Sequence, residues 1–69
     1  MLRINYPAGA DPVLELEAVR EVITRQTLDN LKLYRRDDGV VVKGDGAKLM
    51  RLKLALPGHF TSDLILPHP

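Results

Sequence analysis

The feature that most constrains this chain is the run of alternating apolar and basic residues over residues 31–57. The run is interrupted twice, at Asp-Asp-Gly and at Gly-Asp-Gly. Alternation with period two, broken by glycine-containing turns, predicts antiparallel strands joined by tight connections. We therefore expect three strands in this part of the chain, over residues 31–36, 40–43 and 48–56.

The residues before this run predict a short strand followed by a helix. Residues 2–6 alternate apolar and polar, which favours a strand. Asp11 can accept an unpaired backbone N–H at a helix start, and Pro12 would occupy the first helical position, where no donor is needed. Apolar residues then recur at helical spacing as far as Arg25, which pairs with Glu21 at i,i+4. This pattern predicts one amphipathic helix that covers one face of the sheet.

These elements predict an α+β fold: a small antiparallel sheet of three to five strands with one amphipathic helix packed on one face, in the order β-α-β-β-β. Residues 60–66 could add a last edge strand. All 69 residues are expected to form a single domain, with a frayed tail at residues 66–69. The core of so short a chain rarely yields more than about 3–5 kcal/mol, so self-association would help it.

Composition argues against several classes of function. The chain has no cysteine, which rules out disulfides and thiolate metal sites. His59 and His68 lack spaced carboxylate partners, so no metal and no cofactor is predicted. Ser62 has no recognisable nucleophile context, and we expect no enzyme. No apolar run reaches the roughly 18–20 residues that span a bilayer, so we expect a soluble, cytoplasmic protein without membrane contact.

Basic residues concentrate in the predicted sheet. Residues 31–57 hold seven of the ten lysines and arginines but only three of the nine acids. Alternation places the following residues on the open face of the predicted sheet, as a binding site for a protein partner or a nucleic acid: Lys32, Tyr34, Arg36, Arg51 and Lys53. Cations neutralise phosphates and an aromatic ring can stack on a base. A wet sheet face is also ordinarily polar, and the chain contains no base-stacking motif.

A second candidate surface is apolar. Val41, Leu49 and Ile65 have the opposite parity to their apolar neighbours along the predicted strands. A single helix cannot cover both faces of a sheet, so these residues predict either a local bulge or an exposed patch. Such a patch would bind a partner or a second copy of the chain.

The leading hypothesis from the sequence is a small non-enzymatic protein-binding module. It would regulate a larger partner by occupying the partner's surface, and that partner can be a nucleoprotein. A phage- or plasmid-encoded inhibitor of host machinery is one example, suggested by the size of the chain alone. One alternative is a nucleic-acid-binding protein that uses the basic sheet face. Another is a homodimer that serves as a structural subunit of a larger assembly.

Overall fold

The structure, a computed structural model, describes residues 1–66. It contains four strands and two helices: β1 (Leu2–Asn5), α1 (Pro12–Arg25), β2 (Lys32–Arg36), β3 (Gly39–Lys43), α2 (Gly46–Ala55) and β4 (Thr61–Leu64). The predicted α+β class and antiparallel sheet are confirmed. The predicted frayed tail falls mainly on residues 67–69, which lie outside the described residues.

The sheet has the strand order β2-β3-β1-β4, and every neighbouring pair is antiparallel. Each helix therefore joins two parallel strands that flank a third. The helix α1 leads from β1 to β2 with β3 between them, and α2 leads from β3 to β4 with β1 between them. This is the split βαβ arrangement, also called ferredoxin-like. It leaves β2 and β4 as the two edges of the sheet.

The prediction of a strand over residues 48–56 was wrong, because this segment forms α2. Asp45 caps the helix: its Oδ2 accepts the backbone N–H groups of Ala47 and Lys48 at 3.1 and 3.3 Å. The helix consists of a glycine followed by Ala, Lys, Leu, Met and Arg, which favour helices, and it has no β-branched residue. Gly-Asp-Gly is thus a helix start and not a hairpin turn, and the element order is β-α-β-β-α-β.

The helix α1 forms as the sequence predicts. It begins at Pro12, and the Oδ1 of Asp11 accepts the N–H of Val13 at 2.9 Å. The pair Glu21–Arg25 is present at 3.4 Å. Because the helix is amphipathic, it buries its apolar stripe against the sheet and leaves its charged side to solvent.

The end of α1 contains a strained residue. The N–H of Thr27 bonds to the carbonyl of Thr24 and the N–H of Leu28 bonds to that of Ile23, both at 3.1 Å. This pair of hydrogen bonds is the Schellman motif, in which the first residue after the cap takes the left-handed conformation. Thr27 occupies that position with φ 52°. The left-handed conformation costs a residue with a Cβ about 1–2 kcal/mol.

The core lies between the two helices and one face of the sheet. Its fully buried members are Leu2, Ile4, Val19, Val40, Val42, Leu49 and Leu52. The helix α1 packs against β3 and α2, and α2 packs also against β4. No described element covers the other face of the sheet. Neither of the described helices is long and apolar enough to cross a membrane.

Candidate binding face on the sheet

The uncovered side of the sheet is the candidate site, and we call it the open face. Strand register assigns its side chains, because directly paired residues of neighbouring strands point to the same side. Tyr34, Val41, Arg3 and Asp63 form one row across all four strands. The rows on either side bring in Lys32 and Lys43, and Arg36 with Asn5 and Thr61.

The open face is strongly basic. It carries the cations Arg3, Lys32, Arg36 and Lys43, with Asp63 as the one carboxylate among the described residues. None of these four cations forms an ion pair within residues 1–66, where the ion pairs are Glu21–Arg25, Asp29–Lys48 and Glu15–His59. Unpaired charges of one sign on one face create a positive potential that attracts an anionic partner.

The centre of the open face is apolar, and Tyr34 is its one aromatic ring among the described residues. Tyr34 is 48% exposed, whereas Val41 beside it is 8% exposed. The Nζ of Lys43 lies 5.3 Å from the centroid of the Tyr34 ring, within the range of a cation–π contact. The Nε of Arg3 is buried and has no hydrogen-bond partner among the described residues. The result is a small apolar centre with cations around it.

Three of the five predicted binding residues lie together on this face, and two do not. Lys32, Tyr34 and Arg36 alternate along β2 and share the open face. Arg51 and Lys53 lie on α2, in the helical layer on the other side of the sheet, because their segment is helical. Lys53 is occupied there: its Nζ donates to the carbonyl and hydroxyl oxygens of Ser62 at 2.7 and 3.0 Å.

Two residues of the open face, Arg3 and Lys43, are missing from the prediction. Both lie on strands that the sequence does predict. Arg3 is the polar residue between two core residues of β1, and Lys43 follows three valines of β3. Their register against β2 was the missing element, because it depends on the strand order of the sheet.

Only two residues of the predicted apolar patch, Val41 and Ile65, lie on the open-face side of the sheet. Leu49 is 1% exposed and belongs to the core beneath α2. Val41 lies at the centre of the open face, and Ile65 follows β4 and is 43% exposed. The prediction relied on strand parity, which has no meaning for a residue in a helix.

A groove runs between α1 and the edge strand β2, and we call it the β2 groove. It is lined by Leu16, Arg20 and Ile23 of α1 and by Leu33 and Arg35 of β2. At one end it contains a cavity of about 210 Å³ that also contacts Tyr6. Burial raises the pKa of the Tyr6 phenol, Glu15 raises it further and Arg35 opposes the shift. The groove therefore combines apolar side chains with three arginines, Arg20, Arg35 and Arg36, and one carboxylate, Glu17.

The described part of the chain shows no cluster of three metal-binding side chains. His59 is engaged by Glu15, with 3.0 Å between Nε2 and Oε2. The Oγ of Ser62 accepts a hydrogen bond from Lys53, which also donates to the carbonyl of the same residue. Lys53 therefore acts as a hydrogen-bond donor to the edge strand β4. Its contact with the Ser62 hydroxyl does not resemble the pairing of a nucleophile with a general base.

Comparison with known proteins gives no functional information. No family model matches the sequence, and no curated protein or solved structure matches it.

Proposed function

We propose that this chain is a non-enzymatic protein-binding module whose open face contacts an acidic surface of a larger partner. The observation that supports this most is the set of four cations without ion pairs on a sheet face that no described element covers. Complementary charge steers two proteins together and fixes their orientation. The buried Val41 and the exposed Tyr34 at the centre give such an interface an apolar middle.

The same face is less suited to nucleic acid. Four-stranded sheets that bind single-stranded RNA stack two or three bases on aromatic side chains. The open face offers only Tyr34 among the described residues, and that ring lies on an edge strand against Lys43. Cations without a stacking platform can bind phosphates, but a carboxylate surface fits the mixture of apolar and basic groups better.

In this proposal the chain acts by occupying part of its partner, as an inhibitor or regulator does. An inhibitor carried by a phage or plasmid is one form that this proposal can take.

The test is affinity capture from cells of the native source with two matched charge-reversal variants. The first variant, Lys32→Glu with Arg36→Glu, reverses two cations of the open face. The second, Arg25→Glu with Arg51→Glu, makes the same change in net charge on the exposed sides of α1 and α2. Extracts are used with and without nuclease, so that contact through nucleic acid is recognised.

The proposal expects one protein that the wild-type chain and the helix-side variant retain and the open-face variant loses, with or without nuclease. Equal loss in both double variants would mean that net charge, and not the open face, controls binding. Capture that disappears after nuclease treatment would replace the proposal with direct nucleic-acid binding.

A further inference from the structure

The hydrogen-bond ladder shows which backbone groups lie on the free edges of the sheet. Met1 and Ile65 exchange two backbone bonds, of 2.6 and 2.8 Å, so they form a hydrogen-bonded pair. Such pairs alternate along antiparallel strands. The odd residues of β1 therefore bond to β4 and the even residues to β3, and the 2.8 Å bond from Tyr6 to the carbonyl of Asp38 agrees with this.

The same alternation continues across β3 to β2. The residues of β3 that bond to β2 are Gly39, Val41 and Lys43, whose partners are Arg36, Tyr34 and Lys32. The two remaining residues of β2, Leu33 and Arg35, direct their N–H and C=O groups away from the sheet. Within residues 1–66 no side chain or backbone group bonds to them.

The opposite edge differs because a side chain covers it. On β4 the groups that point away from β1 belong to Ser62 and Leu64. The Nζ of Lys53 donates to the Ser62 carbonyl at 2.7 Å. An incoming strand at β4 would have to displace this ammonium group, whereas β2 offers its edge without such a barrier.

The charges of β2 select the chemistry of the incoming strand. Lys32, Arg35 and Arg36 are three of its five residues, and it has no acid. A second copy of this chain paired antiparallel about Tyr34 would set Lys32 opposite Arg36, and like charges in direct opposition are destabilising. An acidic segment would place carboxylates beside the same cations, which favours pairing.

We propose that β2 accepts an extended acidic segment of a protein partner as a fifth strand of the sheet. Backbone bonds to Leu33 and Arg35 would hold the segment, as in other cases of strand addition. Its side chains would alternate: those on one side lie beside Lys32 and Arg36, and those on the other enter the β2 groove beside Arg20. This proposal names the partner's form and rests on the proposed function of the open face.

The test uses a blocked synthetic peptide of alternating glutamate and valine, about seven residues long so that it matches a strand. A peptide of alternating lysine and valine is the control. Amide hydrogen exchange is followed by NMR in the wild-type chain with each peptide. Saturation with the acidic peptide should slow exchange at Leu33 and Arg35, while the lysine peptide should change neither.

Two substitutions at one position separate the backbone from the charge. Arg35→Gln removes the charge and keeps the N–H, whereas Arg35→Pro removes both. Proline is tolerated on an edge strand where its missing N–H would face solvent, so the β2–β3 pairing should survive. The proline variant should bind the acidic peptide roughly fivefold more weakly than the glutamine variant, the effect of one backbone hydrogen bond. Equal affinities of two folded variants would overturn strand addition.

The exchange measurement decides the question even if Arg35→Pro does not fold. An acidic peptide that binds without slowing exchange at Leu33 and Arg35 overturns strand addition. If Lys43→Glu then abolishes that binding, the peptide lies on the open face and the proposed function stands alone. Conversely, slowed exchange at these two amides, together with partner capture that survives Lys43→Glu, supports the edge and refutes the open face. Absence of binding by the acidic peptide also counts against strand addition.

Discussion

The two edge strands of the sheet, β2 and β4, are protected from pairing with another chain in different ways. An edge strand exposes unpaired backbone groups that can pair with another chain. At β4, Lys53 of the neighbouring helix donates to the carbonyl of Ser62 and covers part of the edge. At β2, protection comes from the strand's own cations, Lys32, Arg35 and Arg36, and its outward backbone groups have no hydrogen-bond partner within residues 1–66.

The difference matters because the two kinds of protection have different specificity. A hydrogen bond to a carbonyl hinders any incoming strand. Like charges hinder a basic strand or a second copy of the chain, but they attract an acidic strand. The edge β4 therefore hinders a wider range of incoming strands. The edge β2 hinders pairing with a second copy of the chain but favours an acidic segment.

The largest effect is expected where β2 is joined to the rest of the sheet. A Cβ added at Gly39 would lie 2.0 Å from the backbone carbonyl oxygen of Ile4, so β1 or β3 would have to move. We expect Gly39→Ala to lower the free energy of unfolding by about 1–3 kcal/mol. Denaturant titration measures this change, and loss of exchange protection in β2 would show that the edge has detached.

Gly58→Ala is the matched control for this substitution. Nothing lies within 4 Å of a Cβ at Gly58, and its φ is not in the left-handed region. Alanine there should be neutral or stabilise the chain by about 0.4–1 kcal/mol, because it restricts the unfolded chain. If both alanine variants lose similar stability, the close approach at Gly39 is not the cause.

Lys53→Met tests whether the β4 edge is protected as described. Methionine keeps the length of the side chain but removes the donor to Ser62, which should cost about 1 kcal/mol. It also frees a carbonyl beside the exposed Ile65 and Leu66. We expect concentration-dependent self-association in light scattering, absent from the control Arg51→Met. A strictly monomeric Lys53→Met chain would show that Lys53 does not guard this edge.

The connection that leads into β2 carries strain that a single glycine can remove. Thr27 holds a left-handed φ of 52° at the end of α1. Thr27→Gly should raise the free energy of unfolding by about 0.5–1 kcal/mol, the part of the strain that exceeds the added freedom of glycine in the unfolded chain. The same change inside the helix, Thr24→Gly, should lower it. Thermal unfolding of both variants compares the two signs directly.

The sequence predicts β2, β3 and α1 closely because local chemistry determines them. Asp11 with Pro12 determines the start of α1, and the β2–β3 hairpin turns at Asp37 and Asp38, one residue before the Asp-Gly pair that signals a two-residue turn. In the segment of α2, apolar and basic residues fit both the two-residue period of a strand and the 3.6-residue period of a helix over a few positions. A capping Asp45, helix-forming composition and buried Leu49 and Leu52 three residues apart were the signals for a helix.

The candidate site was predictable only within a single strand. Lys32, Tyr34 and Arg36 share a face by alternation alone, which requires no knowledge of the neighbours. Arg3 and Lys43 join them through the pairing of β1 with β3 and of β3 with β2. The free edge at Leu33 and Arg35 depends in addition on β2 being an edge strand, and strand order is a property of the whole fold.

The smallest predicted effect concerns the ion pair that ties the approach to β2 to the start of α2. The Nζ of Lys48 donates to the Asp29 carboxylate and, at 3.1 Å, to its carbonyl. This hydrogen bond lowers the pKa of Asp29 from its usual value of 3.8. Its stabilising contribution is therefore complete above pH 3.8 and disappears as the pH falls through the lowered pKa. The contribution is small because both groups are on the surface.

Asp29→Asn should accordingly be slightly less stable than the wild-type chain at neutral pH and indistinguishable from it in strong acid. Asp37→Asn removes the same charge from the hairpin turn, where the carboxylate has no ion-pair partner among the described residues. Denaturant titrations of the three proteins across the acid range compare them. A stability difference between Asp29→Asn and wild type that persists below the lowered pKa would contradict the assignment. Amide hydrogen exchange near Lys32 should also be faster in Asp29→Asn than in the wild-type chain at neutral pH, because the ion pair holds the residues that lead into β2.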